Sequence, residues 1–157
     1  MGNIFLPLMR GKTVIVGIGN PLRGDDGFGP ALIDQLQGKI NAICIDAGTA
    51  PENYTKCIIE EKPETILLVD IAHLGSEPGQ YCILPPEDVV KSGFTTHDVS
   101  SRMFIEFLQK QTQARIFLLG VQPTQVAFGA DMSASVATAL AEVARLIQEA
   151  EACTKPI

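Results

Sequence analysis

The first predicted strand of this chain ends in a glycine-rich turn that is followed at once by two carboxylates. Residues 13–29 have the sequence TVIVGIGNPLRGDDGFG. The apolar run at 14–16 is rich in β-branched residues, which is typical of a strand buried on both faces. Glycine tolerates any φ and Pro21 cannot continue a ladder, so the strand ends here. The acids that follow therefore stand where open α/β sheets bind their ligands, beyond the carboxyl end of a strand.

Four further apolar runs predict strands at 41–46, 65–71, 80–84 and 115–121, the third of them at a sheet edge. Helical patterns separate most of these runs. This alternation predicts a three-layer α/β/α fold, with a twisted, mostly parallel sheet of about five strands flanked by helices. We expect one domain over residues 1–157, with an N-terminal arm at 1–12 and a polar tail at 152–157.

The sequence predicts four helices, each with a start signal or an apolar face that can be checked. The first covers 30–37, and the second opens at a capping box formed by Thr49 and Glu52. The last begins at a Ser133 cap and runs to about residue 151. Between them, a helix follows Thr95 and Thr96. Its predicted apolar face consists of Val99, Met103, Phe104, Phe107 and Leu108.

Charge and cysteine content exclude several classes of partner. The chain has 12 basic and 18 acidic residues and no basic cluster, so nucleic acid and anionic membrane surfaces are poor partners. No apolar run reaches the ~18 residues that a membrane span needs. Cysteines at 44, 57, 82 and 153 have no paired spacing. The sequence therefore predicts buried or free thiols and a cytoplasmic protein.

A nucleotide site at the first turn is disfavoured. Gly17 and Gly19 fit the start of a dinucleotide fingerprint, but Leu22 stands where the third glycine is required. The Gly-Lys-Ser/Thr ending of a P-loop is absent. Asp25 and Asp26 would also repel a phosphate. The sequence therefore predicts no organic cofactor.

The opening stretch resembles the first motif of the [NiFe]-hydrogenase maturation endopeptidases. The resemblance rests on GxGNPLxGDDGxGP at 17–30, and residues 46–53, DAGTAPEN, resemble the family's second motif. It implies an endopeptidase that removes the C-terminal extension of a hydrogenase large-subunit precursor after nickel has been inserted. It also implies that the nickel is carried by the substrate and serves as the recognition element.

Three residues are the candidate catalytic and metal-binding set. Asp26, Asp70 and His97 each stand at the end of a predicted strand or the start of a predicted helix, where they can converge on one cleft. Two carboxylates and an imidazole suit a borderline divalent metal. The resemblance places the family's metal-binding histidine at such a helix start. Asp25 is expected to matter less than Asp26, and His73 is the reserve candidate.

Two other functions stay open at this point. A free-standing zinc hydrolase would use the same three ligands to activate a water molecule. A non-catalytic, flavodoxin-like binding domain would use its acids only as caps. No serine or cysteine has a neighbouring base that would make it a covalent nucleophile.

Overall fold

The computed structural model describes residues 2–85, 87, 88 and 98–154, without the side chains of 98–102. Its centre is one five-stranded sheet in the order β2-β1-β3-β5-β4. The first four strands in that order are parallel, and β4 pairs antiparallel with β5. The strands are β1 (Thr13–Ile18), β2 (Ile43–Gly48), β3 (Thr65–Ile71), β4 (Tyr81–Leu84) and β5 (Arg115–Val121). The mostly parallel sheet and its edge strand β4 are confirmed.

Helices cover both faces of this sheet. They are α1 (Phe28–Leu36), α2 (Thr55–Glu60), α3 (Asp98–Gln111) and α4 (Ala134–Thr154). One apolar core cluster joins α1, α4 and the N-terminal arm to one face, with Phe5 of the arm fully buried. A second cluster joins α2 and α3 to the other face. The predicted three-layer α/β/α class is therefore confirmed.

The chain order places a switch point between β1 and β3. From β1 the chain crosses to β2 on one side, and it returns to form β3 on the other side. Both β1 and β3 are buried along their whole length. A side chain at Gly29, in the first turn of α1, would collide with the backbone of Ile18 and would lie 2.8 Å from the carbonyl oxygen of Val69. Glycine at this position therefore brings the start of α1 directly onto the crevice between the two strands.

Two expectations about local structure are wrong. The capping box is not formed, because a 3₁₀ turn, Pro51–Tyr54, precedes α2, and its N-cap residue Ala50 has no side chain that could cap it. In α3, Phe104 and Leu108 are buried as expected, but Met103 and Phe107 are exposed, and the side chain of Val99 lies outside the described residues. Ile105 is buried instead, so the buried stripe is rotated from the predicted one.

The remaining differences follow from position in the sheet. β2 is only partly buried, since it is an edge strand with one neighbour. Cys44 on β2 and Cys82 on β4 are half-buried for the same reason, and all four cysteines are free.

The predicted buried stripe of α4 is confirmed: Val136, Leu140, Val143 and Ile147 are buried. In the described ranges no helix has both the length and the apolarity to cross a bilayer.

Candidate active site

Asp26 lies on a loop that folds back over the carboxyl end of β1. A 3₁₀ turn, Gly24–Gly27, carries it, and its side chain is 3% exposed. The Asp26 Oδ2 atom accepts a hydrogen bond from the backbone N–H of Asn20 at 3.0 Å. Asn20 also holds the turn before it, because its Oδ1 accepts from the Leu22 N–H at 2.9 Å. The asparagine of the opening motif is thus the residue that links this turn to the carboxylate.

Asp70 lies at the carboxyl end of β3, on the other side of the switch point. It is 1% exposed, and its Oδ1 accepts from the Ile71 N–H at 2.8 Å. Ile66 and Leu68 of the same strand pack in the cluster beneath α2 and α3. Because strand side chains alternate, Asp70 continues that row on the same face. The 3₁₀ turn that carries Asp26 contacts β3, so both acids stand on one edge of the sheet.

Asp25 has a different environment from its neighbour. It is fully buried, and four donors converge on its carboxylate. Its Oδ2 accepts from the backbone N–H groups of Thr124 and Gln125 at 2.8 and 3.1 Å and from the Ser133 hydroxyl at 3.0 Å. Its Oδ1 accepts from the Ser133 N–H at 2.7 Å. A carboxylate with these bonds is an anchor for the loop at 122–133.

This arrangement explains a further feature of Ser133. Its carbonyl accepts the first bond of α4, from the Ala137 N–H at 2.9 Å, as an N-cap residue should. Its hydroxyl, however, donates to Asp25, and it also lies 3.5 Å from the Ser135 hydroxyl at the start of α4. Ser133 is therefore the N-cap residue of α4, as expected, and its side chain serves to bind the Asp25 carboxylate. Sequence reasoning missed Thr124, Gln125 and Ser133 as partners of Asp25, since they lie about a hundred residues away.

The start of α3 lies at the same edge of the sheet as the two acids. Three residues, 112–114, join the end of α3 to β5, whose first residue Arg115 lies beside Thr65 at the amino edge. A 14-residue helix is about 21 Å long, and a seven-residue strand is about as long. α3 packs on the Asp70 face through Phe104 and Leu108, so it begins near the carboxyl edge.

Of the two candidate histidines, His73 is among the described residues and His97 is not. His97, the predicted third ligand, lies outside the described residues, and the described part of α3 begins at the next residue, Asp98. His73, the reserve candidate, is exposed in the loop after β3. The described residues alone contain no group of three histidine, cysteine or acidic side chains that could hold a metal ion. The structure therefore brings Asp26 and Asp70 to one edge and leaves the third ligand as a prediction.

The half-buried cysteines Cys44 and Cys82 are poor candidates for a nucleophilic thiolate. Burial, together with the nearby Glu151 carboxylate, raises the pKa of the Cys44 thiol to about 11. Burial also raises the pKa of Cys82 above its usual value. Both thiols are therefore protonated at neutral pH, when only a thiolate attacks efficiently. The acids at the switch point are the better candidates for chemistry.

We expect Gly19→Ala to displace Asp26. Gly19 has a φ of 143°, and a Cβ atom there would collide with the carbonyl oxygen of Asp26, which the backbone holds in place. A shift of about 1 Å in a catalytic group can cost about 100-fold in rate. The matched control is Gly38→Ala, because Gly38 also has a positive φ, 79°, but has open space around it. Equal melting temperatures and equal peptidase activities of the two variants would contradict this account.

Fold and site together define a class: a doubly wound α/β protein with buried carboxylates at the carboxyl edge of its switch point. The chain belongs to the hydrogenase maturation protease family, whose model, HycI, matches residues 30–150. It is accordingly a peptidase. The hydrogenase 3 maturation protease of Escherichia coli K12 is 35% identical over 133 residues, which cover 83% of this chain and 85% of that protein.

Solved structures agree with this assignment. The crystal structure of the [NiFe] hydrogenase maturation protease HycI from Thermococcus kodakarensis KOD1 has a TM-score of 0.87 at 28% identity, over 95% of this chain and 99% of that one. The solution structure of the endopeptidase HycI from Escherichia coli has a TM-score of 0.79 at 31% identity, over 88% and 90% of the two chains. The family named from the sequence motifs is thus confirmed.

Proposed function

We propose that this protein is the endopeptidase that removes the C-terminal extension of a [NiFe]-hydrogenase large-subunit precursor once nickel has been inserted. The observation that carries the proposal is the placement of two buried carboxylates at the switch point: Asp26 on the loop after β1 and Asp70 at the carboxyl end of β3. Ligands of α/β proteins bind at this crevice. The names of the related proteases supply the substrate class, a hydrogenase.

In this proposal the metal belongs to the substrate. Asp26 and Asp70 supply oxygen ligands, and His97 supplies the imidazole nitrogen that a borderline ion such as nickel favours. The start of α3 at the carboxyl edge, one residue after His97, supports this choice. The two carboxylates also give the crevice a negative potential that attracts a cation.

The chemistry assigned to these residues is recognition followed by hydrolysis. The carboxylates bind the substrate's nickel and thereby position the adjacent peptide bond against the crevice. Positioning of this kind makes a large contribution to the rate of a bond-breaking step. Cleavage then depends on correct nickel insertion, because without the ion the peptide bond is not positioned against the crevice. We also propose that the reaction takes place in the cytoplasm, which fits the four free thiols.

The test is incubation of the purified protein with nickel-loaded and nickel-free precursor, with intact-mass detection of the shortened product. We expect cleavage of the loaded precursor and at least about 100-fold slower cleavage of the nickel-free form, since the main contact of the crevice is then lost. The protease itself should carry little metal after dialysis against a chelator. Equal cleavage of both precursors, or stoichiometric zinc that survives the dialysis, would instead indicate a free-standing zinc hydrolase.

A further inference from the structure

Two exposed apolar side chains lie on adjoining loops beside Asp26. Leu22 is 61% exposed and Phe128 is 76% exposed, more than any other large apolar side chain in the described ranges apart from Met103. Leu22 belongs to the loop after β1, and Phe128 belongs to the loop after β5. The Gly129 N–H donates to the Leu22 carbonyl at 2.7 Å, so the two loops meet at these residues.

Single exposed apolar residues are ordinary on protein surfaces, but this pair stands on a rigid support. The two loops are joined by further hydrogen bonds beneath Leu22 and Phe128. They are Gly24 N–H to Ala130 O at 3.2 Å, Asp25 N–H to Gln125 O at 3.1 Å and Arg23 Nε to Val126 O at 3.2 Å. The buried Asp25 carboxylate closes the base of this double loop. A partner can therefore bind the pair without a large cost of ordering the loops.

The support also connects the pair to the candidate active site. Asn20 accepts from the Leu22 N–H through its side chain and donates its own backbone N–H to Asp26. A surface that contacts Leu22 thus lies one hydrogen-bonded turn away from the carboxylate. Any polypeptide whose bond is cut at Asp26 must pass near this double loop.

We propose that Leu22 and Phe128 form a docking surface for the folded body of the hydrogenase precursor, next to the segment that is cleaved. This inference rests on the proposed function and adds to it the part of the substrate that is recognised. The surface fits an apolar recess on the precursor, because exposed aromatic side chains on rigid supports are frequent binding hot spots. Nickel recognition by the acids and apolar docking by the double loop then select the same partner through different chemistry.

Phe128→Ser tests the docking surface, since its side chain is mostly exposed and its replacement leaves the core intact. We expect KM for the nickel-loaded precursor to rise about tenfold while kcat stays unchanged. This pattern is expected when the contact that is removed is made equally in the ground and transition states. Leu22→Ser should act in the same direction. The dissociation constant measured by biolayer interferometry should rise by the same factor. Ile4→Ser is the matched control, because Ile4 is exposed on the N-terminal arm, away from both loops.

The outcomes separate this inference from the proposed function. If the wild-type protein cleaves the precursor and Phe128→Ser keeps its KM and its dissociation constant, the docking surface is overturned. If the wild-type protein binds the precursor in a Phe128-dependent way without cleaving it, the surface stands and the proposed reaction falls. Absence of binding overturns both. A wild-type dimer in sedimentation that Phe128→Ser converts to monomer would assign the surface to self-association and overturn the inference.

Discussion

Asp26→Asn should lower the rate of precursor cleavage by about two to three orders of magnitude while the protein stays folded. Asparagine has the same shape as aspartate, and its side-chain oxygen can still accept the Asn20 N–H that Asp26 accepts now. The substitution therefore removes the negative charge and can keep this hydrogen bond. Asp70→Asn should behave in the same way, because its oxygen can keep the bond from the Ile71 N–H.

The measurement is single-turnover cleavage of nickel-loaded precursor, together with circular dichroism of each variant. Asp34→Asn is the matched control, since it removes one carboxylate charge from the exposed side of α1, away from the switch point. We expect Asp34→Asn to stay within about twofold of wild type, as surface substitutions usually have small effects. Full activity of either Asp26→Asn or Asp70→Asn would show that the corresponding acid has no part in cleavage.

The fold was predictable because its signals are local and repeated. Buried runs such as that of β3 end in turns, and helices of the right length lie between them, so a parallel sheet follows from the order alone. What the sequence could not give is the environment of each strand. Cys44 and Cys82 lie in apolar runs that look fully buried, yet each is on an edge strand with one neighbour, which only the strand order reveals.

The candidate site shows the same limit at the level of single residues. Asp25 and Asp26 are chemically identical and adjacent, and no periodicity distinguishes them. The difference lies in Thr124, Gln125 and Ser133, whose donors reach Asp25 from about a hundred residues away. The resemblance to a protease family pointed to Asp26, and the hydrogen bonds now give a physical reason why its neighbour has a structural role. For Met103 and Phe107, helical spacing indicated a buried face, and the packing of α3 on the sheet decided otherwise.

Asp25→Asn should destabilise the protein by about 2–4 kcal/mol, the second large effect that we expect. All four groups around the Asp25 carboxylate are hydrogen-bond donors. An asparagine amide must place its own NH₂ donors against some of them, so buried donors lose their acceptor. In a chain of this size the melting temperature should fall by about 2–4 °C for each kcal/mol.

Chemical denaturation of the two neighbouring variants and of Ser133→Ala decides the matter. Ser133→Ala removes one of the four donors and keeps the backbone N–H at that residue, so we expect a loss of only about 1 kcal/mol. Asp26→Asn should change the free energy of unfolding less than Asp25→Asn, because Asp25 holds a loop about a hundred residues away, whereas the Asn20 N–H that donates to Asp26 belongs to the same loop as Asp26. If Asp25→Asn unfolds at the wild-type denaturant concentration, the anchoring role is wrong. If Asp26→Asn is the less stable of the two, the structural role belongs to Asp26 rather than to Asp25.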